Sequence, residues 1–332
     1  MKDLQAILST LLDETPTTSV LATLVSAEGS SYRRPGARLL VRGDGKRTGS
    51  ISGGCLEEDV IARAGRVHAT GQPEAVVYDT TSENDLVWGV GLGCHGVVRV
   101  LLEKLPPRPT WAQTLADNFA RRRTTAVSVR HNGSDTELWG TRLAAPGDCP
   151  DPEALFLDLI APPPALCIFG AGDDAQPLAR LAKELGWHVT LADPRSAFAT
   201  SDRFPHADKL IVGSADSLVA KTAPGPDAMA VVMTHHYVHD VPILRDLLAR
   251  PLAYLGLLGP KKRAEKILSD LTEAGANISD ERHRLHAPVG LDLGADSPEQ
   301  VALSIVAEIQ STLTRRDARP LRERTQPIHA PV

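Results

Sequence analysis

Leu166-Cys167-Ile168-Phe169-Gly170-Ala171-Gly172-Asp173-Asp174-Ala175 joins a strand pattern to a helix pattern through a glycine turn. An apolar run of strand length stops at Gly170-Ala171-Gly172, and helical apolar spacing begins directly after it. The alanine at the third fingerprint position is permitted, and Asp193 closes the following strand, 23 residues after Gly170. Strand, glycine turn, helix and acidic residue together predict a Rossmann-like fold. What the turn does is a separate question. Gly170 and Gly172 could cradle a bound nucleotide such as NAD(P), or the turn could be an architectural remnant. Asp173 and Asp174 stand where a pyrophosphate would lie and would repel it. Asp193 reads either as a ribose ligand or as a turn residue before Pro194.

Downstream the alternation continues. Strands are expected at 188–192, 209–212, 228–233 and 252–257, with helices at 174–186, 241–248 and 261–274. Ser297-Pro298-Glu299-Gln300 is a capping box with proline at the first helical position, opening a last helix to about residue 313. This is doubly wound α/β grammar. The Arg/Pro-rich stretch 315–332 reads as a disordered tail.

Upstream the pattern differs. Residues 2–14 and 55–70 have helical spacing, and 111–123 reads as a helix. Strands are expected at 18–26, 75–78 and 97–102, with hairpins over 37–51 and 125–140. The chain thus reads as an N-terminal α+β domain (1–145), a proline-rich linker (146–164) and a Rossmann-like domain (165–314).

The 332 residues suffice for two domains, and a net charge of −5 argues against general nucleic-acid binding. No apolar run approaches the roughly 18–20 residues of a membrane span. The start of the chain has the acidic amphipathic pattern of a helix rather than a signal peptide. Four cysteines, at 55, 94, 149 and 167, form no CxxC pair, so a structural zinc site is not expected. A cytoplasmic protein with reduced thiols is the reading.

Three N-terminal stretches carry chemistry. Gly29-Ser30-Ser31-Tyr32-Arg33-Arg34-Pro35-Gly36 packs hydroxyls and two arginines between strands, and arginine forks suit phosphate or a pterin edge. Ser50-Ile51-Ser52-Gly53-Gly54-Cys55 hands a glycine pair to a helix start, where free N–H groups favour anions and can lower a thiol pKa. Glu57, Glu58 and Asp59 would oppose that lowering, and a buried core thiol is the bland alternative. Gly91-Leu92-Gly93-Cys94-His95-Gly96 places a second cysteine among glycines. In the second half, Thr234-His235-His236-Tyr237 ends a strand where such folds bind ligands; metal binding, ligand hydrogen bonding and an ordinary polar loop all remain open. Gly259-Pro260-Lys261-Lys262-Arg263 reads as an anion-suited helix start or a solvated basic turn.

In order along the chain, these motifs resemble the XdhC/CoxI family of xanthine dehydrogenase accessory proteins. The resemblance continues through Leu185-Gly186-Trp187, Arg203-Phe204-Pro205, Met233-Thr234-His235, Tyr254-Leu255-Gly256-Leu257-Leu258-Gly259 and Pro288-Val289-Gly290-Leu291-Asp292. It implies an N-terminal XdhC/CoxI-type domain followed by a Rossmann-like domain. It implies a chaperone without turnover of its own, which binds molybdenum cofactor (molybdopterin) and delivers it, sulfurated, to a xanthine dehydrogenase-like or CO dehydrogenase-like molybdenum hydroxylase. A cysteine desulfurase and a second copy of the chain join the implied partners. The competing reading is an NAD(P)-dependent oxidoreductase. The cofactor-binding set comprises Ser31, Arg33, Arg34, Gly53, Gly54, Cys55, Gly93, Cys94, Gly170, Gly172, Asp193 and His235, with Cys55 and Cys94 as molybdenum contacts. Many relatives carry histidine after the Gly-Ala-Gly turn. This chain has Asp173, so a role resting on that histidine does not transfer.

Overall fold

A computed structural model describes residues 1–13, 18–54, 56–79, 96–151, 153–276, 282–325 and 328. They form two compact units, Asp3–Pro162 and Pro163–Val332.

In the first unit, helix α1 (Lys2–Leu12) buries Ile7, Leu8 and Leu11 on one face. Strands β1 (Ser19–Gly29), β2 (Arg38–Arg42) and β3 (Arg47–Gly49) follow, then helix α2 (Glu57–Thr70). Three acidic residues occupy the first turn of α2, and Gly71 ends it in the left-handed conformation, its N–H bonded to Val67 O. Strands β4 (Glu74–Asp79) and β5 (Gly96–Leu105) complete an antiparallel sheet of order β3-β2-β1-β5-β4. Val60, Ala64 and Val67 of α2 pack against Val20, Ala22, Val100 and Leu102, the apolar side of that sheet.

Helix α3 (Thr110–Ala120) leads to a second antiparallel sheet of order β7-β6-β8, built from β6 (Thr125–Arg130), β7 (Gly140–Leu143) and β8 (Leu155–Ile160). Two expectations are corrected here. The hairpin partner of β6 is 140–143 rather than 136–140, because Thr136–Leu138 closes a 3-10 turn capped by Asp135. The stretch 146–164 is not simply a linker: Leu155–Ile160 is a strand that pairs with β6 along its length. The buried Arg38 guanidinium also holds Asp158 at 2.8 Å. The prolines flank this strand, so its ladder N–H groups are intact.

The second unit is a six-stranded sheet, every adjacent pair parallel, of order β11-β10-β9-β12-β13-β14. Its elements run β9 (Ala165–Phe169), α4 (Ala175–Glu184), β10 (His188–Asp193), β11 (Lys209–Val212), α5 (Ala215–Thr222), β12 (Met229–Val232), α6 (Tyr237–Leu248), β13 (Tyr254–Leu257), α7 (Lys261–Glu273), β14 (Leu285–His286) and α8 (Pro298–Thr314). Counted from β9, this is the 3-2-1-4-5-6 order of dinucleotide-binding folds, with its switch point between β9 and β12.

Side-chain alternation along the strands explains the two covered faces. Leu166, Ile168, Val189, Leu191, Met229 and Val231 face α4 and α8. Cys167, Phe169, Ala192, Ala230, Val232 and Leu255 face α5, α6 and α7, which makes Cys167 core packing. The expected capping box of α8 is present, with Ser297 and Gln300 bonded reciprocally. Within 315–332, read as a disordered tail, Leu321–Glu323 forms a 3-10 turn.

Candidate functional site

Three sequence motifs of the first unit meet at one end of the β1–β5 pair. Gly29 is the register partner of Gly96. A Cβ on Gly96 would lie 2.4 Å from Ser30 O and 2.6 Å from Glu28 O, so only glycine admits this backbone approach. From there the chain enters the 30–36 loop, where the Ser31 hydroxyl donates to Arg33 O at 2.8 Å. The Tyr32 ring lies against Gly53, whose Cβ position is 3.7 Å from the ring. Tyr32 is nevertheless 66% exposed, an open aromatic face on a glycine floor. The sequence motif singles out Ser31, Arg33 and Arg34 in this loop and leaves Tyr32 without a role. An aromatic flanked by hydroxyls and arginines was the available signal.

The two arginines differ. Arg33 donates to Asp3 at 2.9 Å and borders a cavity of about 250 Å³ with Leu4, Gly36, Arg38 and Asp158. Arg34 is exposed.

The glycine–cysteine loop carries its own anion. Glu57 is only 6% exposed. Its Oε1 accepts from Ser50 Oγ and Ser52 N, both at 2.9 Å. Its Oε2 accepts from Ser52 Oγ and, at 3.1 Å, from Gly54 N. Burial pushes the Glu57 carboxyl up, but the bonds from Ser52 and Ser50 outweigh it and hold the group below its ordinary value. The Gly54 N–H, expected to face a phosphate, is therefore occupied by an ionised carboxylate of the same chain. Gly53 and Gly54 act as a floor and a turn rather than as an amide nest. Cys55, Gly93 and Cys94 lie outside the described residues.

In the second unit, the glycine turn sits at the switch point. Gly170 has φ +119°, and a Cβ there would lie 2.4 Å from Met233 O, just past the end of β12. Gly172 is closed by Asp174, whose Oδ1 is 2.5 Å from its Cβ position. Asp174 Oδ2 pairs with His235 Nε2 at 2.7 Å, and His235 adopts φ +61°.

Asp193 is fully buried. It accepts from Ala171 N at 2.6 Å, from Arg195 N at 2.7 Å, and from Arg195 Nε and Nη2 at 2.9 and 2.8 Å. Burial raises this carboxyl, and the Arg195 and Ala171 bonds more than reverse the effect, leaving it below the usual range. These four bonds tie Asp193 to the glycine turn and to Arg195.

Beyond the turn, Thr234 Oγ1 donates to the buried Asp240 at 2.5 Å, and Arg263 pairs with Asp240. Arg263 is thus removed from the basic helix start, where Lys261 and Lys262 remain exposed. Among the described residues no His, Cys, Asp and Glu group has a metal-holding arrangement.

Residues 166–309 match the XdhC Rossmann domain, and residues 13–79 match the XdhC and CoxI family. A curated relative from Bacillus subtilis (strain 168), described as a probable subunit of xanthine dehydrogenase, is 35% identical over 90% of this chain and 94% of its own length. The molybdenum cofactor insertion chaperone PaoD of Escherichia coli (strain K12) is 25% identical over 88% of this chain and 83% of its own. A solved structure described as a xanthine dehydrogenase from Bacillus halodurans superposes with a TM-score of 0.82 at 32% identity. It covers 97% of this chain and 99% of that one.

Proposed function

The chain belongs to the XdhC and CoxI family, and from that membership we propose that it is a maturation factor which binds molybdenum cofactor and passes it to a molybdenum hydroxylase of the xanthine dehydrogenase or CO dehydrogenase kind. The observation that carries this reading is the meeting of the 29–36 loop, the 50–54 loop and Gly96 at one end of the β1–β5 pair. The naming of PaoD as a cofactor insertion chaperone supports it.

The cofactor here is cargo: a planar pterin with a phosphate and a metal-bearing dithiolene. The exposed Tyr32 ring on Gly53 offers a stacking face for the pterin. Arg34 offers a fork to the phosphate. Glu57 keeps the phosphate away from the Gly54 N–H. Cys55 and Cys94 are assigned as soft thiolate contacts to molybdenum, protecting the ligand set during sulfuration and transfer. A cysteine desulfurase as sulfur source, a cytoplasmic location and a homodimer complete the proposal.

Against the NAD(P) oxidoreductase reading stands the bonding of Asp193 to Ala171 and Arg195. Anaerobic purification followed by pterin fluorescence and molybdenum analysis tests the chaperone reading. Wild type should retain cofactor and Cys55→Ala should lose most of it. Equal retention removes Cys55 from the site. No retention by wild type, where a known carrier binds, sinks the reading.

A further inference from the structure

Arg203-Phe204-Pro205 belongs to the motif order of the chain but takes no part in the proposed cofactor face. It borders a cavity of about 220 Å³ between α4 and residues 202–207. Gln176 and Arg180 line it from the helix, and Arg203 and His206 from the loop. Asp202 is the one carboxylate among its lining residues.

Arg203 is held in place by other groups. Its Nη2 donates to Ala171 O at 3.0 Å and to Asp173 at 2.9 Å. Its guanidinium lies 4.9 Å from the Phe198 ring centre, and that of Arg195 lies 3.9 Å from the same ring. Arg203 Nε is buried and has no hydrogen-bond partner among the described residues. That nitrogen has no accessible surface and lies out of a ligand's reach, so the subsite rests on the other lining groups. The Arg180 side chain has no ion pair among the described residues, and the residue is exposed. Two guanidiniums, an imidazole and an amide therefore border one small cavity against one carboxylate.

The geometry points to an anion subsite here that takes the phosphate of a phosphomonoester. A cavity of about 220 Å³ is below the roughly 300 Å³ at which whole small-molecule sites begin, so it admits a head group rather than a complete dinucleotide. Arginine forks match phosphate oxygens, and Gln176 adds a neutral donor. Through Arg203 the subsite is joined to Ala171 of the glycine turn, so a bound phosphate would stabilise the turn that Asp193 holds from its other side. This site is independent of the cofactor face of the first unit and does not rest on that reading.

The test is isothermal titration of the full chain with inorganic phosphate, 5′-AMP and adenosine at low salt. Phosphate and AMP should bind saturably at one site per chain, and adenosine should not. AMP binding tighter than phosphate assigns a nucleotide source; equal affinities assign the free phosphate group. Arg180→Gln should weaken binding about tenfold, the loss of one charge-assisted contact. It should leave the melting temperature unchanged, since Arg180 has no ion pair to lose. Absence of saturable binding, wild-type affinity in both Arg180→Gln and Arg203→Gln, or an equal loss in Lys261→Gln, at a residue outside the cavity lining, overturns the assignment.

Discussion

Asp193 Oδ2 accepts the Ala171 N–H at 2.6 Å, so the acidic residue of the dinucleotide fingerprint is bonded to the glycine turn that it usually serves from a distance. Arg195 clamps the same carboxylate through two side-chain nitrogens.

It follows that Asp193→Asn should be a stability variant. The substitution keeps the shape and removes the charge opposite Arg195. Charge-assisted bonds of this kind are worth about 1.5–3 kcal/mol each, so urea unfolding should report a loss of about 2–3 kcal/mol. NAD should give no saturable heat with wild type. Tight NAD binding abolished by Asp193→Asn would show the carboxylate to be a ligand after all.

Glu57 supplies a pH prediction. Its carboxyl is held below its unfolded value of 4.5, so the folded state binds the proton more weakly than the unfolded chain does. The stabilisation is complete above about pH 4.5 and declines as pH falls through the folded value. Wild type should lose stability on acidification below that point, and Glu57→Gln should show a shallower decline. At neutral pH, Glu57→Ala removes the acceptor of the buried Ser52 N–H and of the Ser52 hydroxyl and should cost about 2–4 kcal/mol, while Gly54 N–H keeps Ser52 Oγ at 3.1 Å.

Two glycines predict opposite signs. Gly65 lies within α2 with open space at its Cβ position, so Gly65→Ala should stabilise by about 0.5–1 kcal/mol. Gly96→Ala would drive a Cβ to 2.4 Å from Ser30 O, a backbone atom that cannot swing away. Thermal melts should show Gly96→Ala well below wild type, with cofactor retention falling as the two loops separate.

Tyr32 separates binding from stability. At 66% exposure, Tyr32→Ala should change unfolding free energy by no more than about 0.5 kcal/mol. Loss of a stacking face worth about 1 kcal/mol should weaken cofactor retention about fivefold, and Tyr32→Phe should restore it. Full retention by Tyr32→Ala would remove the ring from the cofactor face.

The second unit was the more legible half. Its inner strands β9, β12 and β13 are short apolar runs buried on both sides, and each of the first two strands ends at a glycine or an acidic residue, so period and punctuation agree. Helix α5 was missed because Ala215–Thr222 spans only eight residues with a weak apolar stripe. Strand β8 is hard to read from sequence because prolines flank it and Leu155, Phe156, Leu157, Leu159 and Ile160 give no clean alternation. The motif residues of the first unit were legible one stretch at a time, but their meeting was not.

Residue types and local order determined the parallel α/β grammar, the glycine turn, the capping box of α8 and the family. Those properties depend on neighbours within a few positions. Pairing across the chain decided the rest: that Gly96 meets Ser30, that Tyr32 covers Gly53, that Glu57 takes the Gly54 N–H, and that Asp193 holds Ala171. A buried carboxylate takes whichever donors the fold brings to it, and sequence spacing alone does not say which donors those are.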